Sequence, residues 1–296
     1  MSAQKSFAQK SFAQKSALNV AVSTFPYLYS HSGLGALQHA RTLGYRHFEM
    51  MIFPPHCWPA DMTPADKRAI AGWLDSEGCA ITSFCYPLLD NNPNSVCRIM
   101  RQYTLDRYKE AVALAADWGC PYVCAIPGPI NSLIDPPVAW MRGWFVEAMI
   151  ELVAFAKGSG VEIILENVPF TFLPTAKEMI AVADDIGPEV GINFDICNSA
   201  FIKEDVPAAI ALLGQRIKNV HISDTSFAVF KHDKLGVADG IVQPGPVAVA
   251  LNAIGYSGMT VLEIIADAMN PVNTPDADIK ASHAVLSAHG WAAPQV

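Results

Sequence analysis

From Leu18 onward, short apolar runs alternate with longer stretches of helical period, and this alternation limits the possible folds more than any other feature of the chain. The runs fall at residues 19–23, 46–50, 80–85, 122–126, 162–166, 191–195, 219–222 and 260–264. Apolar runs this short read as strands buried on both faces, the signature of a parallel sheet covered by helices. The periodic segments span 35–43, 64–76, 102–118, 138–157, 175–186, 206–213, 246–254 and 276–289. Thr63-Pro64 is a helix start, with threonine as N-cap and proline in the first turn. Gly44, Gly78, Gly119, Gly160 and Gly255 stand just before strands, where left-handed residues close helices.

Strand and helix alternate eight times with no break in composition. This pattern predicts an α/β chain folded as a single (β/α)8 TIM barrel over residues 18–296. An open doubly wound sheet is the alternative. No GxGxxG or GxxxxGK[ST] phosphate loop follows the first run, which counts against it. Residues 1–17 stand apart. The pentapeptide Phe-Ala-Gln-Lys-Ser occurs at 7–11 and again at 12–16, and so short a polar repeat cannot bury a core. This segment is expected to be a flexible tail.

Composition narrows the partners. The chain has 296 residues, 51% of them apolar, and a net charge of −8. An acidic chain with no basic run lacks the lysine and arginine clusters that bind phosphate backbones, so nucleic acid is excluded as a partner. No apolar stretch is long enough to span a bilayer, and no secretory h-region is present, so no membrane partner is expected. The seven cysteines are odd in number and contain no CxxC pair, which fits a reducing, cytoplasmic setting. A small-molecule ligand is the remaining class of partner, and a homo-oligomer is compatible with the sequence.

Four consecutive strands of the second half end on, or contain, a metal-competent side chain: Glu166, Asp195, His221 and Glu263. In a parallel barrel all strand C-termini open on one face, where the active site lies. Three carboxylates and an imidazole converging there suit one divalent cation. Mn²⁺ is the expected ion, with Mg²⁺, Co²⁺ and Zn²⁺ as alternatives.

The segments Leu165-Glu166-Asn167, Asn193-Phe194-Asp195, 219–224, 232–236 and 255–263 together resemble the sugar phosphate isomerase/epimerase superfamily of xylose isomerase-like barrels. The resemblance covers roughly residues 18–290 and is not specific to one activity. It implies that Glu166, Asp195, His221 and Glu263 hold the metal and that Glu166 and Glu263 also move protons. A cation bound to a carbonyl and its neighbouring hydroxyl acidifies the C–H between them, and a carboxylate on each face can remove and return the proton. The implied activity is isomerisation or epimerisation of a sugar or polyol-derived ketone through an enediolate. A dehydratase or lyase would share the enolate step, and a non-catalytic sugar-binding barrel is the alternative outside catalysis.

The chain departs from many ketose epimerases at two positions. Asn198 stands where they carry a histidine, and Phe227 where they carry an arginine. Substrate contacts are expected from His232, Glu49, Asn198, Trp58 and Lys231, with Trp58, Tyr86 and Phe170 as an apolar wall. Glu49 reads equally well as a solvated strand-end carboxylate. Asp224 reads as closing a turn, and His283 and His289 as structural. No cluster of Arg or Lys with a glycine-rich cradle marks the last strands, which favours an unphosphorylated substrate.

Overall fold

The eight apolar runs become the strands β1 (Asn19–Ser23), β2 (His47–Met51), β3 (Ala80–Cys85), β4 (Tyr122–Ala125), β5 (Glu162–Glu166), β6 (Gly191–Asp195), β7 (Ile217–Ile222) and β8 (Met259–Leu262). The computed structural model describes residues 17–87, 90–130, 133–265 and 275–294. Each strand pairs in parallel with the next, and β8 returns to β1 through Val20↔Thr260 and Ala21↔Val261, which closes the barrel. The expected tail repeat, residues 1–16, lies outside the described residues.

Around the barrel run α1 (Gly33–Thr42), α2 (Pro64–Glu77), α3 (Arg98–Asp117), α4 (Val138–Ala156), α5 (Ala176–Ile186), α6 (Ile196–Phe201), α7 (Val206–Leu213), α8 (Pro244–Ala253) and α9 (Pro275–Ser287). Thr63 and Thr175 start α2 and α5 with reciprocal bonds to Asp66 and Glu178, so orphan N–H groups of each first turn are satisfied. Gly78 closes α2 at φ 60, a conformation costly for any residue with a Cβ. Helix α6 was not anticipated. It is only six residues long, and its start signal, Asp195, reads first as a strand end.

Strand alternation divides the side chains. Phe48, Phe84 and Phe194 are fully buried; Phe48 meets Trp73 of α2, and Phe84 meets the edge of Trp118. Burying each such ring contributes roughly 1.5–3 kcal/mol. Their strand neighbours Glu49, Ser83 and Asn193 alternate to the opposite face, inside the barrel, where the polar side chains collect. Register shifts occur between Phe48 and Glu49 on β2 and between Ile192 and Asn193 on β6. Each sets a polar pair opposite one another, Glu49 against Ser83 and Asn193 against Asn219. Bulges commonly re-aim side chains beside active sites in this way.

Candidate active site

Glu166 ends β5, Asp195 ends β6, His221 is the penultimate residue of β7, and Glu263 follows β8 directly. One ligand atom from each lies within 4.8 Å of all the others, and all four residues are buried. The arrangement expected from strand ends alone is therefore the one the barrel builds.

His221 is oriented from behind. Its Nε2 lies 2.8 Å from Glu49 Oε2, and a buried carboxylate oxygen there accepts the ring N–H. That contact holds the ring through Nε2 and turns Nδ1 toward the cluster, 3.3 Å from Glu263 Oε2 and 3.7 Å from Glu166 Oε1. Nδ1 is buried without a hydrogen-bond partner among the described residues, and so is Asp195 Oδ2. Buried polar atoms are rarely left unpaired, because each costs about 1–3 kcal/mol. Two such atoms aimed at one point, beside two glutamates, fit a divalent cation held by Glu166, Asp195, His221 and Glu263.

Glu49 is thus not a solvated strand-end carboxylate. It is fully buried, and Oε2 also accepts from Ser83 Oγ at 2.8 Å. His232 reaches the cluster, with Nδ1 3.4 Å from Glu263 Oε2 and 3.0 Å from Ser223 Oγ. Its loop is held by Asp224, which forms a two-way backbone bridge with Asp233 and accepts from the backbone N–H groups of Gly236, Ile241 and Val242. Asp224 therefore closes the loop, as the sequence suggests. Asn198 is buried beside Asp195, whose carboxylate caps its backbone N–H; Nδ2 donates to the Asn167 carbonyl and Oδ1 has no partner.

Trp58 and Lys231 are not brought to this cluster. Trp58 is buried in a stack on Tyr86, which packs on Tyr108, so two of the three expected wall residues belong to the core. Lys231 pairs with Asp233 at 2.6 Å. Phe170, the third expected wall residue, groups with Phe201 and Phe230, and Phe230 lies edge-on to His232 with ring centroids 5.4 Å apart.

Sequence reasoning passed over Asn193 as a site residue. Its Nδ2 donates to Glu166 Oε2 at 2.9 Å, and its Oδ1 accepts from Asn219. Cys124 Sγ donates to the same Glu166 oxygen at 3.1 Å. Together they occupy one oxygen of Glu166 and leave the other for the cluster. A usable signal existed: Asn193 stands two residues before Asp195 in an apolar strand, so both share the inward face.

Electrostatics follow from burying so many acids together. Burial pushes Glu166 up to about 7, with His221 pulling it down and Glu263 and Glu49 adding to the rise. Burial and the neighbouring Glu166 and Glu263 raise Asp195 well above the usual carboxylate range. Burial opposes charge on His221, but Glu49, Glu263 and Glu166 outweigh it and hold its pKa well above the ordinary histidine value. Burial would also raise Glu263, yet His221 and His232 bring it below the usual range. The two glutamates are thereby pushed in opposite directions.

Known proteins share this architecture. A D-tagatose 3-epimerase-like protein is 22% identical, with a TM-score of 0.78 over 92% of this chain and 97% of the other. An L-ribulose 3-epimerase is 19% identical, with a TM-score of 0.77 over 92% and 94%. The 3-keto-D-glucoside 4-epimerase from E. coli is 15% identical, with a TM-score of 0.73 over 93% and 100%. At these identities the likeness establishes the fold. No curated protein sequence matches the chain. Residues 37–289 match the family described as Xylose isomerase-like TIM barrel. A closed eight-stranded barrel and a family match across most of its length agree, and the chain belongs to the xylose isomerase-like TIM barrel family.

Proposed function

We propose that the protein is a divalent-metal-dependent epimerase or isomerase of an unphosphorylated keto sugar or related polyol-derived ketone, acting in the cytoplasm. The observation that carries this reading is the pair of unpartnered buried atoms, Asp195 Oδ2 and His221 Nδ1, set between Glu166 and Glu263. The donor set of three carboxylates and one imidazole suits Mn²⁺. A divalent ion held there supplies electrophilic polarisation of a carbonyl and its neighbouring hydroxyl.

The chain's own residues supply the rest. Asp195 and His221 serve as ligands only. Glu166 and Glu263 share proton removal and return at the carbon next to the carbonyl. Asn193 and Cys124 hold Glu166 by one oxygen and so fix the direction of the other. His232 stands against Glu263 and offers a ring nitrogen to a substrate hydroxyl. Phe170, Phe201 and Phe230 cover the apolar side of the mouth and limit the entry of water. The similarity in fold to sugar 3-epimerases supports the same reading.

The test is solvent-deuterium exchange by Mn²⁺-loaded protein across ketoses, keto-glycosides and inososes. Incorporation at the carbon next to the carbonyl is expected, with product mass otherwise unchanged. Loss of water from the product would instead assign a dehydratase. Asp195→Ala should remove both metal and exchange, and full metal occupancy in that variant would overturn the ligand assignment.

A further inference from the structure

The cluster leaves one buried acid half used. Glu49 gives Oε2 to His221 and Ser83, while Oε1 is buried and has no partner. A thiol stands next to it. One ligand atom each from Glu49, Cys85 and Glu263 lies within 4.8 Å of the other two, and all three residues are buried. Cys85 also groups with Cys124 and Glu166, but Cys124 already donates its thiol to Glu166.

Charge gives an independent argument. Glu49, Glu166, Asp195 and Glu263 bring four carboxylates into one buried region, and their ion-pair partners are His221 and His232 alone among the described residues. No lysine or arginine pairs with them. One divalent cation offsets two of the four charges and leaves two. Uncompensated buried charge is costly, so protons or a second cation must offset the rest.

We propose that Glu49, Cys85 and Glu263 form a second divalent-cation site, selective for thiophilic ions such as Zn²⁺ and Cd²⁺, with Glu263 shared between the two sites. Thiolate and carboxylate ligands together favour Zn²⁺ and its softer relatives over Mn²⁺ and Mg²⁺. Coordination needs the thiolate, and a bound cation deprotonates the thiol that ligates it. Occupation draws Glu263 from proton transfer, so thiophilic ions act here as inhibitors. That consequence rests on the proposed function; the binding does not.

Cadmium is the probe, because thiolate ligation gives an ultraviolet charge-transfer band. The full chain carries Cys79→Ser and Cys97→Ser to remove the two cysteines that are not buried, and excess Mn²⁺ is present throughout. The expected result is about one Cd²⁺ per chain with the thiolate band, while Mn²⁺ is retained. Cys85→Ser and Cys85→Ala should each abolish the band and weaken Cd²⁺ binding at least about tenfold, since even indirect partners of a metal site contribute that much. Cys124→Ser should keep the band. Asp195→Ala should lose Mn²⁺ and keep the band, which separates this site from the first. A band that survives both Cys85 variants overturns the proposal, as does displacement of Mn²⁺ with no band. If the band behaves as expected but no substrate ever exchanges deuterium, the proposed function has failed and the second site stands.

Discussion

Replacing Glu49 tests whether the site is built in two layers. Glu49 touches no reacting atom; it accepts the Nε2–H of His221 at 2.8 Å and the Ser83 hydroxyl at 2.8 Å. In Glu49→Gln the amide oxygen can keep both bonds, so the variant removes charge and little geometry. In Glu49→Ala both donors lose their acceptor. The only other neighbour of Nε2 is Asn193 Nδ2 at 3.1 Å, itself a donor. Partners that orient a metal-bound histidine typically contribute 10–100-fold to metal affinity. The structure places Glu49→Gln near the lower end, about tenfold or 1.4 kcal/mol. It places Glu49→Ala near the upper end, about 100-fold or 2.8 kcal/mol. Calorimetric titration of metal-free protein with Mn²⁺ at one fixed pH reads both numbers. Rates at saturating Mn²⁺ should recover far more than affinity does, because the proton-transfer glutamates remain in place. Binding of Mn²⁺ within twofold of the parent by both variants would refute the argument that Glu49 sets the ring of His221.

Three further outcomes are expected. Glu166→Gln and Glu263→Gln should each lower turnover by about 10²–10⁴ while retaining more metal than the alanine variants, measured by exchange rate beside metal content; wild-type rates in both would leave the glutamates as ligands only. Glu166 holds its proton up to about 7 in the metal-free protein, so the apparent Mn²⁺ affinity should climb as pH rises through that value. With a folded-state pKa above the unfolded one, Glu166 stabilises the metal-free fold fully at low pH and loses that contribution as pH rises through about 7. Melting curves at pH about 5 and about 8 should therefore show a larger stabilisation by Mn²⁺ at the higher pH, and an equal effect at both would count against the raised value. Asp224→Ala should free four backbone N–H groups that its carboxylate now accepts, those of Thr225, Gly236, Ile241 and Val242. The loop carrying His232 should then exchange amide hydrogens faster while the barrel strands stay protected, and unchanged exchange in that loop would show that Asp224 does not anchor it.

The barrel and the convergence of four metal-competent side chains at its mouth were legible in the sequence for a simple reason. Strand period and helix period are local, and in a parallel barrel every strand C-terminus opens on the same face. Glu166, Asp195, His221 and Glu263 therefore had to converge once the strands were recognised, and errors of a residue or two at strand ends did not move them. The N-cap Thr63 was legible by the same local rule. What the sequence by itself could not decide were contacts between strands far apart in the chain. Glu49 meets His221 across 172 residues, and a register shift on β2 sets Glu49 opposite Ser83. No periodicity reports such a shift, so the same glutamate read equally well as a solvated strand end. Trp58 and Tyr86 follow the same logic: a loop aromatic is a pocket wall or a core residue according to what stands opposite, and here each found an aromatic partner inside. Lys231 found Asp233 two residues away. Local pattern determined which residues reach the barrel mouth; only the packing of distant strands decided which nitrogen of His221 faces the centre and which acid holds it there.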